Sequence, residues 1–163
     1  MHYFLLPLVP LTIVGAIFFK NRLAAYGFPV VLTLIKMFMT QVTPMYLFMA
    51  LGLLAVVFAA RKINQGKLSL MKVAGTAALG VFFYALASNF GVWFLGSCVP
   101  EAERLYAFNF SGLLACYKAS LPYAGIHLLK AVPLTLVLVQ IIDWIRQKSF
   151  VLSLQRLLLR KAS

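Results

Sequence analysis

Three lysines interrupt otherwise apolar stretches of this 163-residue sequence: Lys36, Lys118 and Lys130. An ammonium within an apolar run is expensive, so each is a candidate to hold an anion, whether a ligand, a lipid phosphate or a partner's carboxylate. The plainer role for a lysine near a helix end is to snorkel, its stem packed on apolar surface and its head in water. Lys130 stands near the start of its run and Lys118 near the end of its own, so both have that escape. Lys36 stands more than a turn before the polar turn at Gln41 and is harder to explain in that way.

The stretch Ala87-Ser88-Asn89-Phe90-Gly91-Val92-Trp93 is the most distinctive. Asn89 and Trp93 are one helical turn apart and share a face, while Ala87 and Gly91 form a small-xxx-small ledge. Such a ledge lets a second helix approach closely, and Asn89 can hydrogen-bond across the contact or touch a ligand. Trp93 suits the aromatic belt at a membrane interface. Further on, Pro122, Gly125 and Pro133 interrupt the last third of the chain. Broken helices of this kind either line a binding cavity or are a tight turn followed by a kinked helix.

Catalytic chemistry finds little material. The only acids are Glu101, Glu103 and Asp143, and Asp143 has Arg146 three residues on as a partner. His2 and His127 are far apart in sequence, and Cys98 and Cys116 form no CxxC pair. There is no Gly-rich phosphate loop, HExxH or nucleophile–base signature. The chain is expected to be no enzyme and to carry neither metal nor cofactor.

The elements that must position these residues are set by composition. Hydrophobic residues make up 63% of the chain and charged residues 11%, well short of the roughly 25% of soluble domains. Fifteen Lys and Arg against three acids give a net charge of +12. The basic residues fall mostly between apolar runs, where they read as topology signals and contacts to anionic lipid head groups rather than as a nucleic-acid surface. The expected fold is all-α: a polytopic transmembrane bundle over residues 1–145 and a basic tail over 146–163. The first run, from about Tyr3 to Phe19, lacks the marks of a cleaved secretory signal and is expected to be retained. Further runs cover about 23–40, 45–60, 73–97, a shorter 105–121 ending at Pro122, and 128–145.

Charge decides between five and six crossings. With six, the basic residues of loops and tail divide evenly between the two sides. If 105–121 dips in and returns, Lys20, Arg22, Arg61, Lys62, Lys67, Lys72 and the five basic residues of the tail share one side, with Arg104 alone on the other. The positive-inside rule then favours five full spans plus one short re-entrant helix, with the N-terminus outside and the tail in the cytoplasm. In the tail, Phe150, Leu154, Leu157 and Leu158 share one helical face, while Arg156 and Arg160 lie opposite. Such an amphipathic helix suits an anionic membrane surface, and it suits a protein partner equally.

Ser88-Asn89-Phe90-Gly91-Val92-Trp93, then Gly112-Leu113-Leu114-Ala115-Cys116-Tyr117, then Leu121-Pro122-Tyr123 resemble the SNFGVW … GLLACY … PF pattern of a family of small uncharacterised bacterial membrane proteins. Pro10 to Ala16 is similar to that family's opening, and Phe28-Pro29 to its second-helix proline. The resemblance covers most of the chain. The family's layout is in turn similar to the substrate-binding S components of energy-coupling-factor vitamin transporters. It implies a membrane-embedded small-molecule binding subunit of the bacterial inner membrane, working with a separate ATP-driven module. The pattern has an additional leading helix, an acid in the second helix and a Gly-Asp pair opening the last. Here Lys36 and Lys130-Ala131 stand in the latter two regions, which reverses the charge of any polar site. That change equally suits a non-catalytic accessory or scaffolding subunit of a larger membrane complex.

Overall fold

The computed structural model describes residues 8–39, 44–63 and 69–162, with side chains as far as Lys148. Five α-helices follow one another: α1 Leu8–Phe18, α2 Arg22–Met39, α3 Met45–Ile63, α4 Leu70–Gly96 and α5 Phe110–Ala162. A one-turn 3-10 helix, Glu101–Glu103, lies between α4 and α5. No strand occurs among the described residues. Four of the helices, α2 to α5, are long and apolar enough to cross a membrane, and α1 is a shorter apolar helix. This architecture fits an integral membrane protein.

The shortest helix is the central one. α1 packs against all four others, and seven of its eleven residues are buried: Leu8, Val9, Pro10, Thr12, Ile13, Gly15 and Ala16. It is apolar all round, as a helix enclosed by others should be. The core continues through Leu53, Val56 and Val57 of α3 and Ala77 and Val81 of α4. α2 leans on α1 and α3 with Ala25, Pro29, Leu32 and Thr33.

Three buried hydroxyls are satisfied on their own helices. Thr33 donates to the Pro29 carbonyl at 2.7 Å, Thr76 to Lys72 at 2.7 Å and Thr135 to Ala131 at 2.6 Å, each four residues back on its own helix. Two asparagines start helices. Asn21 Oδ1 accepts from the Leu23 amide at 2.9 Å and Asn109 Oδ1 from the Gly112 amide at 2.8 Å, each satisfying an orphan donor of α2 or α5.

One end of the bundle is tied together by two arginines. Arg61, at the end of α3, donates from Nη1 to the Phe19 carbonyl at 3.1 Å. Arg146 of α5 donates from Nη2 to the Phe18 carbonyl at 3.0 Å, and its guanidinium lies 4.5 Å from the Phe18 ring centroid. The α1–α2 connection with Lys20 and Arg22 is therefore at the same end as Arg61 and Arg146.

α5 corrects the expected division of the last third. The expected short re-entrant helix at 105–121 and the expected last run at 128–145 are not separate elements. From Phe110 onward they form one helix of 53 residues, with Pro122 and Pro133 inside it. Proline removes one intrahelical bond and crowds one turn, which bends a helix without ending it where neighbouring helices hold both halves. The tail is helical as far as Ala162, continuous with α5, while the faces expected for Phe150, Leu154, Arg156, Leu157, Leu158 and Arg160 lie outside the described side chains.

The close approach of α3 and α4 needs Gly52, where a Cβ would come within 2.9 Å of Ala87 Cβ and 3.2 Å of the Tyr84 backbone. Gly52→Ala is expected to cost about 1–3 kcal/mol, the usual range for overpacking. Gly75→Ala, at a site with nothing within 4 Å of a Cβ, is expected to be neutral or slightly stabilising. Thermal unfolding of both variants in one detergent checks the contrast, and equal melting shifts would refute the close-packing assignment.

Candidate functional site

The polar residues within the apolar helices fall into two groups that do not meet. The first joins α2 and α5. Lys36 is in the last turn of α2 and half-buried. On α5, buried residues recur along one line, with Gly112, Cys116, Ala131, Thr135 and Val139 enclosed and His127 half-buried among them. Lys130 follows His127 by three residues and is exposed beside that line. The His127 imidazole lies in the electrostatic field of both Lys130 and Lys36. α2 and α5 do not pack against each other, and both pack on α1.

All three acids are elsewhere in the fold. Glu101 and Glu103 form the 3-10 turn, and Asp143 is on α5 beyond the last buried turn, accepting from Gln147 Nε2 at 3.3 Å. The stretch from His127 to Lys130, with Lys36 opposite, is thus a concentration of nitrogen donors on helices long enough to span a membrane. Chemically it can hold a carboxylate or phosphate by charge-assisted hydrogen bonds. It has no nucleophile–base pair, and no group of three His, Cys, Asp or Glu able to hold a metal occurs among the described residues.

The second group forms the seam between α4 and the start of α5. Asn89 turns back on its own helix, donating from Nδ2 to the Ala85 carbonyl at 2.7 Å. Its backbone carbonyl accepts from Cys116 Sγ at 3.5 Å, and Tyr117 donates its hydroxyl to the Leu86 carbonyl at 3.0 Å. Trp93 donates from Nε1 to the Ala107 carbonyl at 3.1 Å and stacks on Phe108 with centroids 4.6 Å apart. Gly112 sits under that same carbonyl, which a Cβ would overlap. Arg104 braces the connection by donating to the Val99 and Ser97 carbonyls at 3.0 and 3.3 Å.

Ala87 and Gly91 face α3. Ala87 lies against Gly52, and a Cβ at Gly91 would come within 2.7 Å of the Phe48 ring. Lys118, two residues beyond Cys116, is exposed on the far side of α5. Lys36, Asn89 and Lys118 therefore line no common pocket. His127 is the residue the sequence leaves unassigned, since the other histidine, His2, is distant in sequence. The three-residue spacing of His127 and Lys130 was the available signal, because it sets both on neighbouring parts of one face.

Residues 2–155, which include α1 to α4 and most of α5, match the model of a family described as a family of unknown function, DUF6580. The chain belongs to that family. No curated protein and no solved structure matches it. In this DUF6580 protein the α4–α5 seam is a packing device, and the α2–α5 group of bases is the better candidate for a ligand.

The seam gives a direct test. Trp93→Phe keeps a ring for Phe108 and loses the bond to the Ala107 carbonyl, at a cost of about 1 kcal/mol. Amide exchange across 105–111 should accelerate in that variant while exchange in α3 stays unchanged. Unchanged exchange in the connection would show that the indole bond does not hold it.

Proposed function

We propose that this DUF6580 chain is a membrane-embedded subunit that binds a small anionic molecule for an S-component-like uptake transporter, without catalysing a reaction. The observation that carries the reading is that His127 lies in the field of both Lys36 and Lys130, on two helices that each pack on α1. Nitrogen donors on two helices that do not pack on each other can close on a ligand from both sides. A solute held by charge-assisted hydrogen bonds in a low-dielectric site needs no cofactor, and a separate ATP-driven module would supply the energy for its release.

The same reading places the chain in a bacterial inner membrane with five crossings, N-terminus outside and basic tail in the cytoplasm. Its support is the basic end of the bundle, where Arg61 and Arg146 converge on the α1 terminus and where the positive-inside rule expects the cytoplasm. Anionic lipid head groups are the natural counterpart of that end.

A second reading, an accessory subunit of a larger membrane complex, draws on other features. Asn89 is satisfied within its own helix, and Lys118 faces outward rather than into the bundle.

Purification in lipid nanodiscs followed by mass spectrometry of small molecules separates the two. The binding reading expects one anionic metabolite near stoichiometry, reduced roughly tenfold or more in Lys36→Met and Lys130→Met, as loss of a charge-assisted bond implies. A metabolite-free protein that carries a fixed set of other subunits overturns it in favour of the accessory reading.

Orientation is tested with the two cysteines. Cys98 is exposed beyond the end of α4 and Cys116 is buried. An impermeant maleimide added to intact cells is expected to label Cys98 and to spare Cys116 until the protein is denatured. Labelling of Cys98 only after lysis would invert the orientation.

A further inference from the structure

α5 has two faces, and only one of them is accounted for. The inner line of Gly112, Cys116, Ala131, Thr135 and Val139 is buried against the bundle. By helical periodicity the opposite line carries Lys118, Pro122, Gly125, Leu129, Pro133 and Gln140, and all six are exposed. A helix line that faces lipid needs apolar side chains and a fully satisfied backbone. This line meets neither requirement in full. Lys118 and Gln140 are polar, and each proline removes the donor for the carbonyl four residues earlier. Those carbonyls belong to Lys118 and Leu129, both on this same line. Gly125 leaves a notch between them, with nothing within 4 Å of where its Cβ would be.

We propose that this outer face of α5 is the docking surface for a transmembrane helix of a different subunit, one carrying a carboxylate opposite Lys118. A small-residue notch flanked by polar groups is how helices associate in lipid, where apolar surface alone gives no preference for protein over acyl chains. Charge selects the occupant. A second copy meeting this face about a two-fold axis would bring Lys118 against the same line of another α5, and this chain has no acid there to receive it: Glu101 and Glu103 precede α5 and Asp143 is near its other end. Lipid would meet Lys118 with a phosphate at most and would leave the Leu129 carbonyl unpaired in hydrocarbon. A helix with an Asp or Glu meets the ammonium, and its side chains can cover the notch. The inference does not use the Lys36–His127–Lys130 group, so it stands or falls separately from solute binding.

A photo-crosslinking amino acid placed at Leu129, which is 76% exposed, and at Leu51 on the exposed side of α3 tests this in native membranes. The Leu129 probe is expected to give a discrete adduct with one other membrane protein, through an apolar peptide that contains Asp or Glu, while the Leu51 probe gives lipid adducts. Lys118→Gln should lower the Leu129 adduct roughly three- to thirtyfold, the range for a polar contact between membrane helices. Lys118→Arg, which keeps the charge, should retain it, and Lys118→Glu should recover it when the partner's acid is changed to lysine. Lipid adducts alone at Leu129, an adduct with a second copy of this chain, or a partner peptide without an acid would overturn the proposal.

Discussion

The arrangement of this bundle depends on how the last carbonyls of α1 are satisfied. A helix end leaves four carbonyls without intrahelical partners, and at the end of α1 two arginines supply donors. Arg61 takes the Phe19 carbonyl and Arg146 the Phe18 carbonyl. Each bond adds a positive charge where the helix dipole is negative. Because the two arginines come from α3 and α5, one electrostatic requirement at one end of α1 ties both of those helices to it. Sequence separations of 42 and 128 residues are bridged in this way. The rest of the core follows: with α1 central and apolar all round, α2, α3, α4 and α5 can each bury a face against it.

Much of the helical layout was legible in sequence because lipid-type helices leave coarse signals. The uncharged runs ending at Phe19 and Ala60 stop at basic pairs, and the corresponding helices end at Phe18 and Ile63. Pro122 misled for a physical reason. In water, a proline after a polar segment ends a helix because the freed backbone group is easily hydrated, so extending the helix gains little. In an apolar surrounding a broken helix exposes several unpaired groups where a kinked one exposes a single carbonyl, and continuing is cheaper. Asn109 also caps α5 well before the proline, so the helix is already established when the chain reaches it. The six apolar runs thus give five helices.

Within the helices, side chains capable of local hydrogen bonding behaved differently from those that are not. Asn89 could be read as a bond across a helix contact, yet its amide reaches the Ala85 carbonyl one turn back. Thr33, Thr76 and Thr135 do likewise. Short polar side chains close onto their own helix at little entropic cost, so a sequence cannot distinguish a self-satisfied Asn from a bridging one. Thr12 departs from this pattern: fully buried in α1, its hydroxyl has no hydrogen-bond partner among the described residues. The influence of Lys36 on His127 was invisible for another reason. It depends on α2 and α5 both leaning on α1, a relation that no spacing within either segment encodes.

The chain also divides its cations by chemistry. Arginine appears where a carbonyl must be held in fixed geometry, as at Phe18 and Phe19, and again at Val99 and Ser97, where Arg104 bonds two carbonyls at once. Its planar fork loses little entropy for each bond it makes and stays charged in any surrounding. All three cations within the long apolar stretches are lysines: Lys36, Lys118 and Lys130. An ammonium on a flexible stem can follow an anion as it enters and let it go again, and it can withdraw toward the head groups when nothing is bound. A guanidinium fork at the same depth would hold a carboxylate or phosphate in bidentate geometry and release it slowly. For a subunit that must pass its solute on, or release one partner helix for another, lysine is the residue with the right reversibility. Arginines bonded to carbonyls at the ends and long-stemmed lysines within would suit the binding subunit proposed above.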